Sequence, residues 1–327
     1  VQIGNINLGE KPLLLAPMED VTDPSFRFLC KHYGADMMFT EFISADGLLH
    51  EGRKSLEKLK IGDYERPIGI QIYGHLKESM IEAAKIAEAA NPDTIDINFG
   101  CPVKKIANRG AGSGMMRNPT LMTEITAGIV KAVSKPVTVK TRLGWDHDSK
   151  NIVDIALMLQ DAGIQALTIH GRTRTQMYKG QADWTLIGEV KNHPAIHIPI
   201  IGNGDIHDGP SAKAAFDTYE VDGIMIGRAT VGRPQIFSEI KHYLQYGTEL
   251  PPLSVAETVD LATLHFAKSL EHKSLPRAIF EMRRHFCTYF KGIPDFKETR
   301  IKLVTSTEPT EIFEILQYIK VRYASVD

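Results

Sequence analysis

The stretch TIDINFGCPVKK, residues 94–105, begins as alternating apolar residues and runs into Asn98, Gly100, Cys101 and Pro102, with two lysines behind them. The first half reads as a buried strand. A strand core needs no Gly-Cys-Pro at its end, so the second half reads as a stiff turn that holds one thiol. Similar short apolar runs recur about every thirty residues: LLLAP (13–17), MMFTEF (37–42), IGIQIYG (68–74), VTVKTR (137–142), ALTIHGR (166–172), IPIIGNG (198–204) and GIMIGR (223–228). Helix-like segments lie between most of them, among them ESMIEAAKIAEAA (78–90), LMTEITAGIVKAV (121–133) and NIVDIALMLQDAG (151–163). This is a βα repeat with buried parallel strands. Eight units in about 230 residues predict an α/β fold, a TIM (β/α)8 barrel. The rival, a doubly wound sheet, wants a Gly-rich turn after its first strand. Here that turn reads APMEDVTD, and neither GxGxxG nor a Walker motif occurs.

The barrel is expected to fill residues 1–246 and to be the catalytic domain. GTELPPLS (247–254) reads as a linker, because Pro251 and Pro252 block a helix. Ser254 and Glu257 then form a capping-box signature. From 255 to 327 four helical stretches fit, at 255–271, 276–290, 295–305 and 308–323, which predicts a small C-terminal all-helical bundle. In the last stretch Ile312, Ile315, Leu316, Ile319 and Tyr323 share one apolar face.

Composition narrows the class. Of 327 residues 43% are hydrophobic and 24% charged, as in ordinary globular proteins. No run of 18 apolar residues predicts a membrane helix. VQIGNINLGEKP shows no basic block followed by an apolar one, so no signal peptide is expected there. Cys30, Cys101 and Cys287 are far apart with no CxxC, which suits a reducing cytoplasm and argues against a disulfide framework or a zinc site. Cys30 and Cys287 are expected to be buried small hydrophobes. The run Asp146-His147-Asp148 reads as a solvated loop, and no metal is expected. The net charge of −2 gives no global push toward nucleic acid, so any RNA site must be a local patch. One candidate is 268–302, where nine basic residues face Glu271, Glu281, Asp295 and Glu298, a local charge of +5. Arg283 and Arg284 are adjacent there. The interleaved aromatics are expected in the bundle core.

Polar residues mark the C-terminal ends of the strands: Gln71, Asn98, Cys101, Lys140, Arg142, His170, Asn203 and Arg228. In a barrel those ends share the face where the active site lies. The Gly-rich turns IIGNGDI and IMIGRATVGRP follow strands seven and eight, the usual phosphate site of barrels. A phosphate there points to a phosphorylated cofactor such as FMN across the barrel mouth, with Gln71 and Lys140 offering its ring an amide and a cation.

Taken in order, APMEDVTD (16–23), QIYG (71–74), DINFGCPVKK (96–105), GAGSGMM (110–116), VKTRLGW (139–145), LTIHGRTR (167–174), IIGNGDI (200–206) and MIGRATVGRPQIF (225–237) resemble the tRNA-dihydrouridine synthases, most closely the B-type bacterial branch. The match covers the whole barrel; the C-terminal region matches more loosely. The resemblance implies noncovalent FMN on a TIM barrel, NADPH as reductant, and reduction of uridine to 5,6-dihydrouridine in the D loop of tRNA, at position 17 for this branch. It implies a hydride from the flavin to C6 and a proton from Cys101 to C5. Pro17, Met18, Gln71, Lys140 and His170 would meet the flavin ring, and Asn203, Gly204, Asp205, Gly227 and Arg228 its phosphate. Asn98 would hydrogen-bond the uracil, Lys104 and Lys105 would face tRNA phosphates, and Arg142 and Arg172 are further substrate candidates. The C-terminal bundle would hold tRNA. Glu19 departs from the small residue that relatives often carry. No obligate protein partner is evident. The rival readings are a reductase or dehydrogenase of a free pyrimidine, related to dihydroorotate enzymes, and a non-catalytic RNA-binding barrel.

Overall fold

The computed structural model describes residues 1–323. Eight parallel strands form its barrel: β1 Leu13–Leu15, β2 Met38–Phe39, β3 Ile68–Tyr73, β4 Thr94–Asn98, β5 Val137–Arg142, β6 Ala166–His170, β7 Ile200–Asn203 and β8 Gly223–Ile226. From β2 to β8 each pairs with the next, and β8 pairs with β1. A bridge between Leu14 and Met37 joins β1 to the start of β2. The sheet is thereby closed, which decides for the barrel over the doubly wound sheet. β2 is interrupted. After Phe39 the chain leaves the ladder and rejoins β3 at Ile43–Ser44.

Helices follow the strands in turn: α1 Pro24–His32, α2 Ala45–Leu49, α3 Lys77–Ala89, α4 Pro119–Ala132, α5 Ile152–Asp161, α6 Thr185–Lys191, α7 Gly209–Tyr219 and α8 Ile236–Tyr246. Successive strand residues face opposite sides. One set, including Ile70, Ile72, Ile95, Ile97, Val137 and Val139, packs in the main apolar core. The other set points into the barrel. Near the strand starts it is apolar: Leu14, Met37, Phe39, Ala166, Ile201 and Met225 pack with Ile3 and Leu8. Ile3 belongs to an antiparallel hairpin, Gln2–Ile3 with Ile6–Asn7, that no periodicity in so short a segment announces. Toward the strand ends the inward set becomes polar, with Gln71, Asp96, Asn98, Lys140, His170 and Asn203.

Residues 247–254 connect the barrel to α9 Val255–His272, α10 Leu275–Tyr289, α11 Lys297–Thr305 and α12 Pro309–Arg322. Gly247 ends α8 at φ +73°, a left-handed conformation that costs glycine little. The capping box forms: the Ser254 N–H donates to Glu257 Oε2 at 2.8 Å, and the Glu257 N–H to Ser254 Oγ at 3.2 Å. The bundle has its own apolar core, which includes Phe286, Tyr289, Phe290, Ile312, Leu316, Ile319 and Tyr323, together with Leu29 of α1. Phe286, Tyr289 and Phe290 are therefore core residues and His285 is buried, as expected, but His272, at the end of α9, is exposed. Cys30 is buried but Cys287 is exposed, so the expectation for Cys287 fails. Its helical neighbour Phe286 takes the inner face, and about 100° of rotation turns Cys287 outward.

One buried ion pair braces the loop after β1. Arg27 of α1 donates to the Glu65 carboxylate and, at 2.7 Å, to the Thr22 carbonyl. Both side chains are almost wholly buried. Removing one partner strands a buried charge, which typically costs about 3–5 kcal/mol. Arg27→Met is expected to lower unfolding stability by about that much in urea denaturation. A loss under about 1 kcal/mol would mean that water reaches Glu65.

Candidate active site

The strand ends open onto a cleft of about 890 Å³. Every expected site residue of the barrel lines it except Gln71, Lys104 and Lys105. Lys104 and Lys105 are exposed on a short helix, Lys104–Ala107, behind the cleft rim. Arg283 and Arg284 lie away from the cleft, on α10 of the bundle.

The turn that carries Cys101 is built by Asn98. Its Oδ1 accepts from the backbone N–H groups of Gly100 and Cys101, both at 2.9 Å. Its Nδ2 donates to Gln71 Oε1 at 2.7 Å. Gln71 Nε2 in turn donates to Asp96, which also accepts from Thr138 Oγ1. Gln71 is fully buried and serves this chain. Asp96 was not singled out in the sequence. The available signal was alternation, since Asp96 and Asn98 two residues apart must share the inner face. Burial pushes the Asp96 carboxyl up to about 6, against the hydrogen bonds from Gln71 and Thr138 and the charge of Lys140.

Cys101 is 6% exposed and faces the cleft. Its carbonyl accepts from Ser113 Oγ at 2.7 Å and from the Ser113 N–H at 3.1 Å. Gly112, at φ +53°, closes on it, and a Cβ there would lie 3.0 Å from the cysteine Cβ. Burial raises the thiol pKa; the Val103 N–H and Arg142 pull it down, and Glu19 adds to the rise. The net effect is upward, so the group is a thiol at neutral pH. The charges acting on it are Arg142 and Glu19; Lys104 and Lys105 are not among them.

The cationic side chains have different duties. Lys140 Nζ donates to Asn203 Oδ1 at 3.0 Å, while Asn203 Nδ2 donates to the Met225 carbonyl. Burial, then Arg142, push Lys140 down to about 7, although Asp96 pulls upward. Arg142 donates to three carbonyls, of Gly100 at 2.7 Å, Met177 at 2.8 Å and Thr173 at 3.0 Å. It ties the cysteine turn to the loop after β6. Arg172 donates to the carbonyls of Lys179 and Gly180 and to Asp205 Oδ2 at 2.8 Å. Both arginines thus hold backbone in place. His170 is kept neutral by burial and by the cations Arg142, Lys140, Arg172 and Arg228 around it.

Asp205, at φ +54°, accepts from Arg172, from the Ala182 N–H and from Arg228 at 3.1 Å. Its carboxylate is committed to protein donors, while the Arg228 side chain stays 57% exposed. Gly204 has φ +129°, and a Cβ on it would stand 2.7 Å from Ala182 Cβ. Pro17 and Met18 also line the cleft, and a Cβ on Gly227 would stand 3.6 Å from Met18 Sδ. Glu19 pairs with Lys58, which also lies 3.6 Å from Glu41. Tyr178 was also missed. Its ring sits 5.2 Å from the Arg228 guanidinium and 5.6 Å from that of Arg142.

A model of the dihydrouridine synthases matches residues 14–323. The chain belongs to that family. Dihydrouridine synthases are oxidoreductases, and so is this enzyme. A curated relative, the tRNA-dihydrouridine synthase B of Pseudomonas putida, is 42% identical over 303 residues, covering 92% of this chain and 89% of that one. The probable tRNA-dihydrouridine synthase of Rickettsia prowazekii is 38% identical over 315 residues, covering 96% and 95%. Among solved structures, a 2-naphthoyl-CoA reductase aligns with TM-score 0.58 and 13% identity, over 75% of this chain and 51% of that one. A histamine dehydrogenase from Rhizobium sp. 4-9 aligns with TM-score 0.53 and 12% identity, over 81% and 50%. At such identity these two report the barrel fold alone. No helix among the described residues is long and apolar enough to cross a membrane.

The raised thiol is directly measurable. In a Cys287→Ser background, iodoacetamide labelling of Cys101 is expected to titrate with a midpoint above the ordinary thiol value of about 8.5. A midpoint at or below it would mean that Arg142 outweighs burial.

Proposed function

We propose that this dihydrouridine synthase reduces uridine to 5,6-dihydrouridine in the D loop of tRNA in the cytoplasm, using FMN and NADPH. Position 17 is the favoured uridine. The observation that carries the reading is a buried thiol on a fixed turn, facing a cleft that a half-buried lysine also lines.

The residues present fit a flavin. Lys140 is a half-buried amine whose hydrogen-bond partner is neutral, and its protonated form beside the ring of a flavin would stabilise the reduced form. Gly204 and Gly227 let the backbone approach a phosphate closely, and Arg228 is exposed enough to pair with it. Asp205 contributes by orienting Arg228. When bound, a reduced flavin would supply the hydride for C6 of the uracil. Pro17 and Met18 would pack on the ring, and neutral His170 would donate or accept one hydrogen bond. Gln71 acts through Asn98, whose remaining amide hydrogen is free for the uracil.

Cys101 donates the proton at C5. Its raised pKa keeps the proton in place at pH 7, and burial keeps competing water away. Asn98 and Arg142 hold the turn from two sides, so the sulfur needs no reorganisation. Lys104 and Lys105, outside the cleft, suit phosphate contacts rather than chemistry. In the bundle, Glu271 pairs with Lys268, and Glu281 with Lys273 and Arg277. These acids therefore do not neutralise Arg283 and Arg284, which leaves both for RNA. Arg283 lies over the Phe280 ring at 4.5 Å, and Arg284 is exposed.

Cys101→Ala is expected to keep its flavin and its reduction by NADPH, while dihydrouridine formation falls about 10²-fold or more, the range for a positioned acid. Wild-type turnover would remove Cys101 from the mechanism. Assaying tRNA beside free uracil separates this reading from a free-pyrimidine reductase, since only tRNA should support turnover.

Arg283→Ala/Arg284→Ala is expected to bind tRNA more weakly, with a shallower dependence on salt as fewer counterions are released. Its flavin content should be normal. An unchanged salt slope would move the RNA surface elsewhere.

A further inference from the structure

The wall of the cleft is tied to the helical bundle by a buried ion pair. Lys273, between α9 and α10, donates to Asp23 Oδ2 at 2.5 Å and lies 2.6 Å from Glu281 Oε2. The side chains of Lys273 and Asp23 are 6% and 5% exposed. Asp23 is also the N-cap of α1, its Oδ1 accepting from the N–H groups of Ser25 at 2.8 Å and Phe26 at 3.1 Å. One residue earlier, Thr22 Oγ1 accepts from the Met18 N–H at 2.9 Å and donates to the Met18 carbonyl at 3.1 Å. Met18 lines the cleft. A second route runs beside the first. Arg277, one turn along α10, lies 3.6 Å from Glu57 on the short helix Arg53–Lys58, and Lys58 pairs with Glu19 at the cleft.

Burial alone would push the Asp23 carboxyl up, but Lys273, with His265, holds it well below the usual range. A charge so deep needs its partner, and a buried pair is a poor source of stability. Its attested use is to fix one arrangement among several. Here it fixes the segment 17–23 against the N-terminal end of α10, the helix whose next turns carry Arg283 and Arg284.

We propose that Lys273 is a positioning residue: through Asp23 it couples α10 of the bundle to Met18 and Glu19 in the cleft wall, so that RNA held by the bundle sets the geometry in which the uracil reacts. The proposal rests on the reading of the chain as a tRNA uridine reductase. Lys273 does not line the cleft. It acts on orientation, and a misplacement of about 1 Å can cost up to about 10²-fold in rate.

The test removes both charges together. Lys273→Met alone leaves the Asp23 carboxylate buried without a cation. Lys273→Met/Asp23→Asn avoids that and keeps the cap, because Asn caps as well as Asp. The double variant is expected to retain flavin, to oxidise NADPH at the wild-type rate and to bind tRNA with unchanged affinity and salt slope. Its kcat for dihydrouridine formation is expected to fall about tenfold at constant KM. Glu57→Gln, a partly exposed change that leaves the fold intact, cuts the second route and should lower kcat about twofold. Wild-type kcat in both variants overturns the proposal, as does a loss confined to tRNA affinity. Wild-type enzyme that forms no dihydrouridine from tRNA would instead overturn the functional reading, and the coupling with it.

Discussion

Asn98 Oδ1 accepts from two successive backbone N–H groups, of Gly100 and Cys101, and those two hydrogen bonds turn the chain at the end of β4. An unsatisfied N–H in so enclosed a place would be costly. The side chain that satisfies them must itself be held, and Gln71, Asp96 and Thr138 form the row that holds it. The barrel interior is therefore a hydrogen-bonded polar layer above an apolar one. That row, with Ser113 and Arg142, holds the turn on which Cys101 sits.

The same logic explains why the cleft is crowded with cations and yet offers few of them to a ligand. Arg142 and Arg172 spend their donors on carbonyls of the loop after β6 and on Asp205. A guanidinium has five donors in a rigid fork, which suits it to gather backbone. Lys140 and Arg228 remain at the two ends of the cleft, one half-buried and one exposed. Burial first, and then the charges of Arg142, Lys140, Arg172 and Arg228, keep His170 neutral. The thiol feels mainly burial; the downward pulls of the Val103 N–H and of Arg142 are smaller.

The bundle is a separate apolar core, yet it shares Leu29 with α1 and reaches the segment before α1 through Lys273. A covalent linker at 247–254 would leave the bundle free to swing. The apolar contact and the buried ion pair do not. The surface that presents Arg283 and Arg284 is consequently held at a defined distance from Cys101, which a macromolecular substrate spanning both would require.

Much of this was legible in the residues alone. Eight buried runs with polar ends predict the barrel, because parallel strands covered on both sides must be apolar along their length and only their ends can carry chemistry. The capping box at Ser254 and Glu257 and the apolar stripe of 308–323 are local patterns that need no tertiary information. The match of motifs in order led to the family, and the stiffness of Gly-Cys-Pro marked Cys101. The tertiary structure decided the rest. Sequence spacing does not say that Gln71 is buried behind Asn98, that Arg142 and Arg172 grip carbonyls, or that Cys287 faces outward. Those roles depend on which groups far apart in the chain come within 3 Å, as Lys273 and Asp23 do across 250 residues. A residue type limits what a side chain can donate or accept; only the folded chain supplies the partner.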